Sequence, residues 1–460
     1  MNKQEISERL CYDINMPICK NVPRRSSWRI NMNIYDKDGW LFENPMENRI
    51  NVIDDKEIEE LLKLAQIEDE WVGRVRNEVL YRDQHPNEKS DCIIDELRIL
   101  NTAGTVFRYP FNISTITFPS RRHLFRGEPQ IYERSVPSLN RKLYGKTKYE
   151  KMMWKALADL RIYQFLKFIW KINVVPYWEA KLSDINIKAL AQHYGFDTHL
   201  LDLTNDVRTA LFFATCKYVP ATDSYRPMTR DDIDTNEKKY GVLFHTPDWR
   251  VDYFQPVGTM TLFSDMNFNK EISLDTGDCD GLAFQIGMQP LMRCHHQSGY
   301  IYPMKTDAPL QENWNFEKIH LLQSPELSQR IFDMMDGGKK VFPYEGISEA
   351  KAILDLLKCS FTFSEDDILC VYDFEHIDKK KFLTVNDFAD NLRSFNYNGH
   401  HIQIQNQEVE YPITQKLLDR VNSHYDGKDL LAPTGGMIHY KPEEKRYRDQ
   451  RCVEIYGRLI

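Results

Sequence analysis

The stretch Ala191-Gln-His-Tyr-Gly195-Phe-Asp-Thr-His-Leu200-Leu-Asp-Leu-Thr-Asn205-Asp-Val-Arg-Thr-Ala210-Leu-Phe-Phe-Ala-Thr215-Cys-Lys217 decides how this chain is read. Gly195 stands where a helix would end, at the position that favours a left-handed backbone. Leu200 to Leu203 is a brief apolar run with Asp202 inside it, after which Val207, Ala210, Leu211 and Ala214 recur at helical spacing. The pattern predicts a strand, a turn capped by Asn205 or Asp206, and a helix. Asp202, Thr204 and the first helix N–H groups meet at that turn, an arrangement that suits an anion such as phosphate. An ordinary capped turn accounts for the same residues without a ligand. Asp202, set among leucines, needs a partner, and Arg126 and His199 are the candidates.

Working outward, the periodicity predicts a long helix over Tyr149 to Ile172 and a second one capped by Ser183 or Asp184 that ends at Gly195. Further upstream, Asp54 and Asp55 precede a helical pattern at Ile58, Leu61, Leu62 and Ala65. Tyr81 to Asp91 reads as a loop, Cys92 to Leu100 as a helix, and Val106–Tyr109 and Ile113–Phe118 as strands or extended connections. Residues 1 to about 50 read as an irregular arm. Downstream, 219–239 is expected to be a mobile polar insertion, 240–246 a strand, 251–303 strand-like, 349–357 a helix led by Ser348, and Ile368–Phe374 a buried strand.

With 460 residues, 42% of them hydrophobic and 28% charged, the chain is an ordinary globular protein of two or three units. The net charge of −8 argues against nucleic-acid binding over the whole surface, although Arg121 to Lys155 holds ten Lys or Arg against three Glu. No secretory or transit pattern opens the sequence, and no apolar run approaches the roughly 18 residues of a membrane span. The nine cysteines form no CxxC pair, so a reducing, cytoplasmic setting is expected. Phosphate-loop, dinucleotide, nucleophile-elbow and HExxH signatures are absent. Cys294-His295-His296, with Cys279 upstream, has metal-ligand residue types without metal-site spacing, and no metal is expected.

Phe125-Arg126-Gly127, Pro137-Ser-Leu139, the His193-Tyr194-Gly195 turn, Leu201-Asp202-Leu-Thr204 with Ala210-Leu-Phe-Phe-Ala214, and Arg293…Gln297-Ser-Gly-Tyr300 together resemble the FRG domain, over about residues 95 to 370. The order of an arginine near a strand end, a hydroxyl-bearing strand leading into a helix, and a polar residue on a late strand also resembles the ADP-ribosyltransferases. That resemblance implies that Arg126, beside Gly127, grips the phosphates of NAD, that Thr204 positions the nicotinamide ribose, and that Gln297 stands where a glutamate is usual. Gln cannot supply the carboxylate charge, so either Asp202 or Glu128 would have to, or activity would be weak or lost. His193 and Tyr194 are expected to help hold the dinucleotide, Tyr194 by stacking.

The expected fold is α+β, with a mixed or antiparallel sheet core of ADP-ribosyltransferase type. A helical N-terminal extension (1–94), an FRG-like domain (95–370) and a C-terminal α/β appendage (371–460) would divide the chain. The expected function is NAD-consuming transfer of ADP-ribose to a protein or nucleic acid by a toxin or antiviral defence effector. The alternative is a non-catalytic module that binds or senses a nucleotide or nucleic acid.

Overall fold

A computed structural model describes residues 41, 51–84, 105–109, 113–117, 123–181, 185–234, 239–247, 283–286, 289–304, 308–313, 315–375, 377–426, 429–431 and 437–439. Its centre is a mixed seven-stranded sheet of β1 (Asn51–Ile53), β2 (His123–Glu128), β3 (Leu200–Thr204), β4 (Tyr240–Pro247), β5 (Phe284–Gln285), β6 (Gly299–Pro303) and β7 (Glu317–Leu322), in spatial order β1-β7-β4-β2-β3-β6-β5. The β1–β7 pair is parallel and the other pairs are antiparallel. Phe125 lies opposite Thr204 and Thr204 opposite Gly299, so the three strands that carry the expected site are neighbours.

Alternation along the strands sorts residues between two faces. On one face Phe125, Leu243, Ile319 and Leu321 pack against helices α1 (Asp55–Gln84), α4 (Val207–Thr215) and α5 (Pro325–Met334). Farther along that face, Leu200 and Ile301 meet α2 (Lys148–Ile169) and α3 (Ile187–His193). The opposite face buries Leu124, Leu201, Leu203, Val242, Phe244, Tyr300 and Tyr302. A fourth cluster joins the first half of α2 to residues 363–402. These cores run across both expected domain boundaries: Ile53 and Ile58 belong to the core of α4, and Val421 and Tyr425 to that of α3.

Local chemistry explains where the elements differ from the expectations. Ile368–Phe374 is not a strand but part of a helix, Glu365–Phe374, because Ser364 and Asp367 form a capping box that satisfies its first N–H groups. Asn186 caps α3 by accepting from Ala189 N at 3.1 Å; the expected caps, Ser183 and Asp184, lie outside the described residues. The insertion after Val219 is built: 216–219 pairs with 224–227, and a capped turn of helix follows at Arg230–Ile233. Arg293–His296 is a short helix rather than strand. The helix led by Ser348 is a 3-10 turn, Gly346–Ala350, running into Lys351–Cys359. Helix α1 extends through Gln84 into the expected loop. Residues 105–109 and 113–117 are strands, the first of the two expected alternatives, and pair as a hairpin; the turn at Gly195, φ +86°, is as expected. Apart from Leu41, the arm, together with the 92–100 helix and all of 251–282, lies outside the described residues. No helix among the described residues is long and apolar enough to cross a membrane.

Gly127 sets the distance between sheet and helix. A Cβ there would stand 1.8 Å from Ala210 O and 2.8 Å from Ala214 N, so β2 and α4 touch backbone to backbone. Gly127→Ala should therefore cost about 3 kcal/mol or more, because neither backbone can yield. Urea unfolding at pH 7.5 measures it, and a wild-type midpoint would refute the close approach.

Candidate functional site

The seam beside Asp202 lies where two helical coverings of the same sheet face meet, α4 over β2 and α3 over β3. Asp202 alternates with Leu201 and Leu203, which are buried on the other face, so its carboxylate turns toward α3. There Asp202 Oδ1 stands 3.8 Å from His193 Nε2, and both atoms are buried without a hydrogen-bond partner. The His193 side chain is 2% exposed and the Asp202 side chain 37%, so one member of the pair is enclosed and the other reaches solvent. Burial lowers the His193 pKa, and Arg293 lowers it further, against the opposing pull of Asp202 and the Gln297 amide. The imidazole is neutral at pH 7.

Thr204 and Gln297 close the floor of the seam, held by their own bonds. Thr204 Oγ1 donates to Gln297 O at 2.6 Å and accepts from Asp206 N at 3.1 Å. Gln297 ends the Arg293–His296 helix and precedes β6 instead of lying on it, and its Nε2 donates to Val341 O at 3.2 Å. The helix N-terminus expected to take an anion already has one. Asp206 Oδ1 accepts from Arg208 N at 3.0 Å, and the Arg208 guanidinium pairs with Asp206 at 2.9 Å and with Asp69 of α1 at 2.7 Å.

Arg126 and Glu128 do not join this group. They alternate with Phe125 and Gly127 and so share the opposite face with Leu124. Arg126 Nε donates to Glu128 Oε1 at 2.9 Å, and its Nη1 to Asp202 O at 3.0 Å. Glu128 is buried, and its second oxygen accepts from Ser135 Oγ at 2.6 Å. The residues expected to act together on NAD are thus split: His193, Asp202, Thr204 and Gln297 converge, while Arg126 reaches Asp202 only through its backbone. Gly127 serves the approach of α4 rather than that of a ligand. Tyr194 is not available for stacking, being 2% exposed, donating to Glu345 Oε1 and lying under Arg293.

Three residues that sequence reasoning gave no role support the seam. Arg293, 4% exposed, lies over the rings of Phe342 at 3.7 Å and Tyr194 at 4.6 Å, donates to His193 O at 3.2 Å, and pairs with Asp223 at 2.6 Å. Asp223 adopts φ +49° in the hairpin of the insertion and accepts from Tyr218 OH at 2.6 Å. Glu345 Oε2 accepts from Met292 N at 2.9 Å and Tyr425 OH at 3.1 Å. Asp223 and Glu345 lie in segments with no periodicity or motif to single them out. Among the described residues no group of three His, Cys, Asp or Glu is arranged to hold a metal.

Burial drives the His295 pKa from 6.5 down to about 4, and burial does the same to His320. The unfolded chain takes up these protons as pH falls through about 6.5, and the folded chain only near 4, so stability is lost across that window. His295 alone should make unfolding about 2 kcal/mol easier at pH 5 than at pH 7.5. Chemical denaturation at both pH values checks this; His295→Gln should shrink the difference by that amount, and an unchanged difference would refute it. In comparisons with known proteins, no curated protein and no solved structure matches the chain significantly. The model of one family does, along the segment that carries β2, α2, α3, the Asp202 seam, α4 and Asp223: residues 121–223 match the FRG domain.

Proposed function

We propose that this protein is an NAD-consuming enzyme of the ADP-ribosyltransferase type in which Asp202 supplies the charge that Gln297 cannot. One observation carries the reading: Asp202 Oδ1 and His193 Nε2, 3.8 Å apart and buried, have no hydrogen-bond partner. Leaving such atoms unsatisfied costs about 1–3 kcal/mol each, which a ligand that pairs with both would recover. A ribose hydroxyl donates its one proton to the carboxylate and accepts from the neutral imidazole in the tautomer that carries its proton on Nε2. Glu128, the other carboxylate considered, has both oxygens bonded within the fold.

When the glycosidic bond of NAD breaks, its electron pair leaves with nicotinamide and positive charge develops on the ribose. A carboxylate beside that ring stabilises the charge more in the transition state than in the ground state. The acceptor, a protein or nucleic acid, then bonds to the anomeric carbon and releases its proton. In this reading Arg126 holds β2 to β3 instead of gripping phosphates.

The second reading, a non-catalytic module that binds a nucleotide, is favoured by the internal bonds that already occupy Thr204 and Gln297. Single-turnover nicotinamide release at saturating NAD, with cell extract as the source of acceptor, separates the two. Asp202→Asn should slow release on the order of 10²- to 10³-fold with little change in NAD affinity. Gln297→Glu should not accelerate it, since a carboxylate there would face Val341 O and lose the existing bond. Equal rates for wild type and Asp202→Asn would remove Asp202 from the chemistry. No release by wild type, with NAD binding retained in calorimetry, would establish the binding module.

A further inference from the structure

The net charge of −8 conceals a local balance of the opposite sign. Residues 131–155 carry seven Lys and Arg against two Glu. Lys148, Lys151 and Lys155 fall at i, i+3 and i+7 of α2, on the side away from the buried Met153, Trp154 and Leu157. Arg141 and Lys142 end the short helix Ser138–Leu143 just before it. Tertiary structure adds a second basic run, Lys379–Lys381. Lys381 Nζ stands 4.0 Å over the ring of Tyr149 in the first turn of α2, and Tyr149 OH donates to Asn391 Oδ1 at 2.9 Å.

Apart from the exposed Glu133, nearby acids are committed elsewhere or to single lysines. Glu150 closes the capping box with Thr147, Asp387 the one with Thr384, and Asp378 accepts from Lys380 N. Asp390 pairs with Arg393, Asp373 with Lys379 and Asp197 with Lys142. Within the ridge Tyr144 is 60% exposed, with the Arg134 guanidinium 4.2 Å over its ring. Flexible ammonium groups in a row follow a polyphosphate backbone, and an exposed ring backed by a guanidinium offers a plane for an unpaired base.

We propose that the ridge formed by the start of α2, Tyr144 and Lys379–Lys381 binds single-stranded nucleic acid. This is a second surface, independent of the NAD reading, and its test contains no NAD. Fluorescently labelled 20-nucleotide single strands of mixed sequence, one of RNA and one of DNA, are titrated with the full chain between 50 and 200 mM salt, beside a DNA duplex of equal length. At least one single strand should bind more tightly than the duplex, with affinity falling steeply as salt rises. Lys148→Glu/Lys151→Glu/Lys155→Glu should weaken binding on the order of tenfold or more at 100 mM salt and make the log–log salt slope shallower by about 2. Tyr144→Ala should weaken it several-fold with the slope unchanged.

Reversing three exposed lysines elsewhere, Lys56→Glu/Lys339→Glu/Lys416→Glu, should leave affinity within a factor of about two, since contacts and not net charge decide it. Melting curves confirm that each variant is folded, and Lys→Ala forms of the first triple replace any that is not. Absence of binding at 50 mM salt, equal or tighter binding of the duplex, or equal loss from both lysine triples would overturn the proposal.

Discussion

A buried guanidinium holds the seam together. Arg293 carries a fixed charge out of water, which is tolerable only where aromatic faces, a carbonyl and a carboxylate replace its hydration. Phe342 and Tyr194 supply the faces, His193 the carbonyl, and Asp223 the carboxylate. Those partners come from three separated segments, so one side chain locks the end of α3, the hairpin after α4 and the 342–345 segment against β6. Glu345 extends the lock through the hydroxyls of Tyr194 and Tyr425 and the Met292 N–H. Removing the Asp223 carboxylate would leave the Arg293 charge buried and uncompensated, which costs more than the pair contributes.

That rigid surround keeps the two orphan atoms at the seam apart. His193 cannot swing to Asp202, because Arg293 holds the backbone on which it stands and burial encloses its ring. Gly299, which follows the turn below the ring, has no room for a side chain: a Cβ would meet Ile286 Cδ1 at 2.9 Å. The site is pre-organised by packing around it more than by bonds within it, and pre-organised polar groups are the ones that gain most when a ligand charge develops beside them. The basic ridge on α2 is its physical opposite. Its groups are long and largely at the surface, suited to a chain whose position along it need not be fixed.

Much of the central architecture was legible from local patterns. Periodicity located α2, α4 and the strand at 200–204, and Gly195 marked the end of α3 because a left-handed backbone favours glycine. The failures have specific causes. Ile368–Phe374 carries β-branched and aromatic residues in a strand-like run, yet Ser364 and Asp367 cap it as a helix, and tertiary burial in the α2 core overrides its local preference. The polar insertion after Val219 has no apolar periodicity, but the aromatic contacts of Tyr218 and Tyr225 with Phe342 order it. The convergence of His193, Asp202, Thr204 and Gln297 was readable from motif order. Exclusion of Arg126 from that group follows from strand parity, which needs the register.

The sequence by itself determined the strand–turn–helix at Asp202, the glycines at 127 and 195, the FRG resemblance and the local excess of positive charge, because each depends on neighbours within about a helical turn or two. Only the tertiary structure decided which face of the sheet each polar residue occupies, since a one-residue shift in pairing exchanges the faces. It alone brought Arg293, Asp223 and Glu345 to the seam and Lys379–Lys381 to α2, because contacts between residues tens to hundreds apart leave no trace in local spacing.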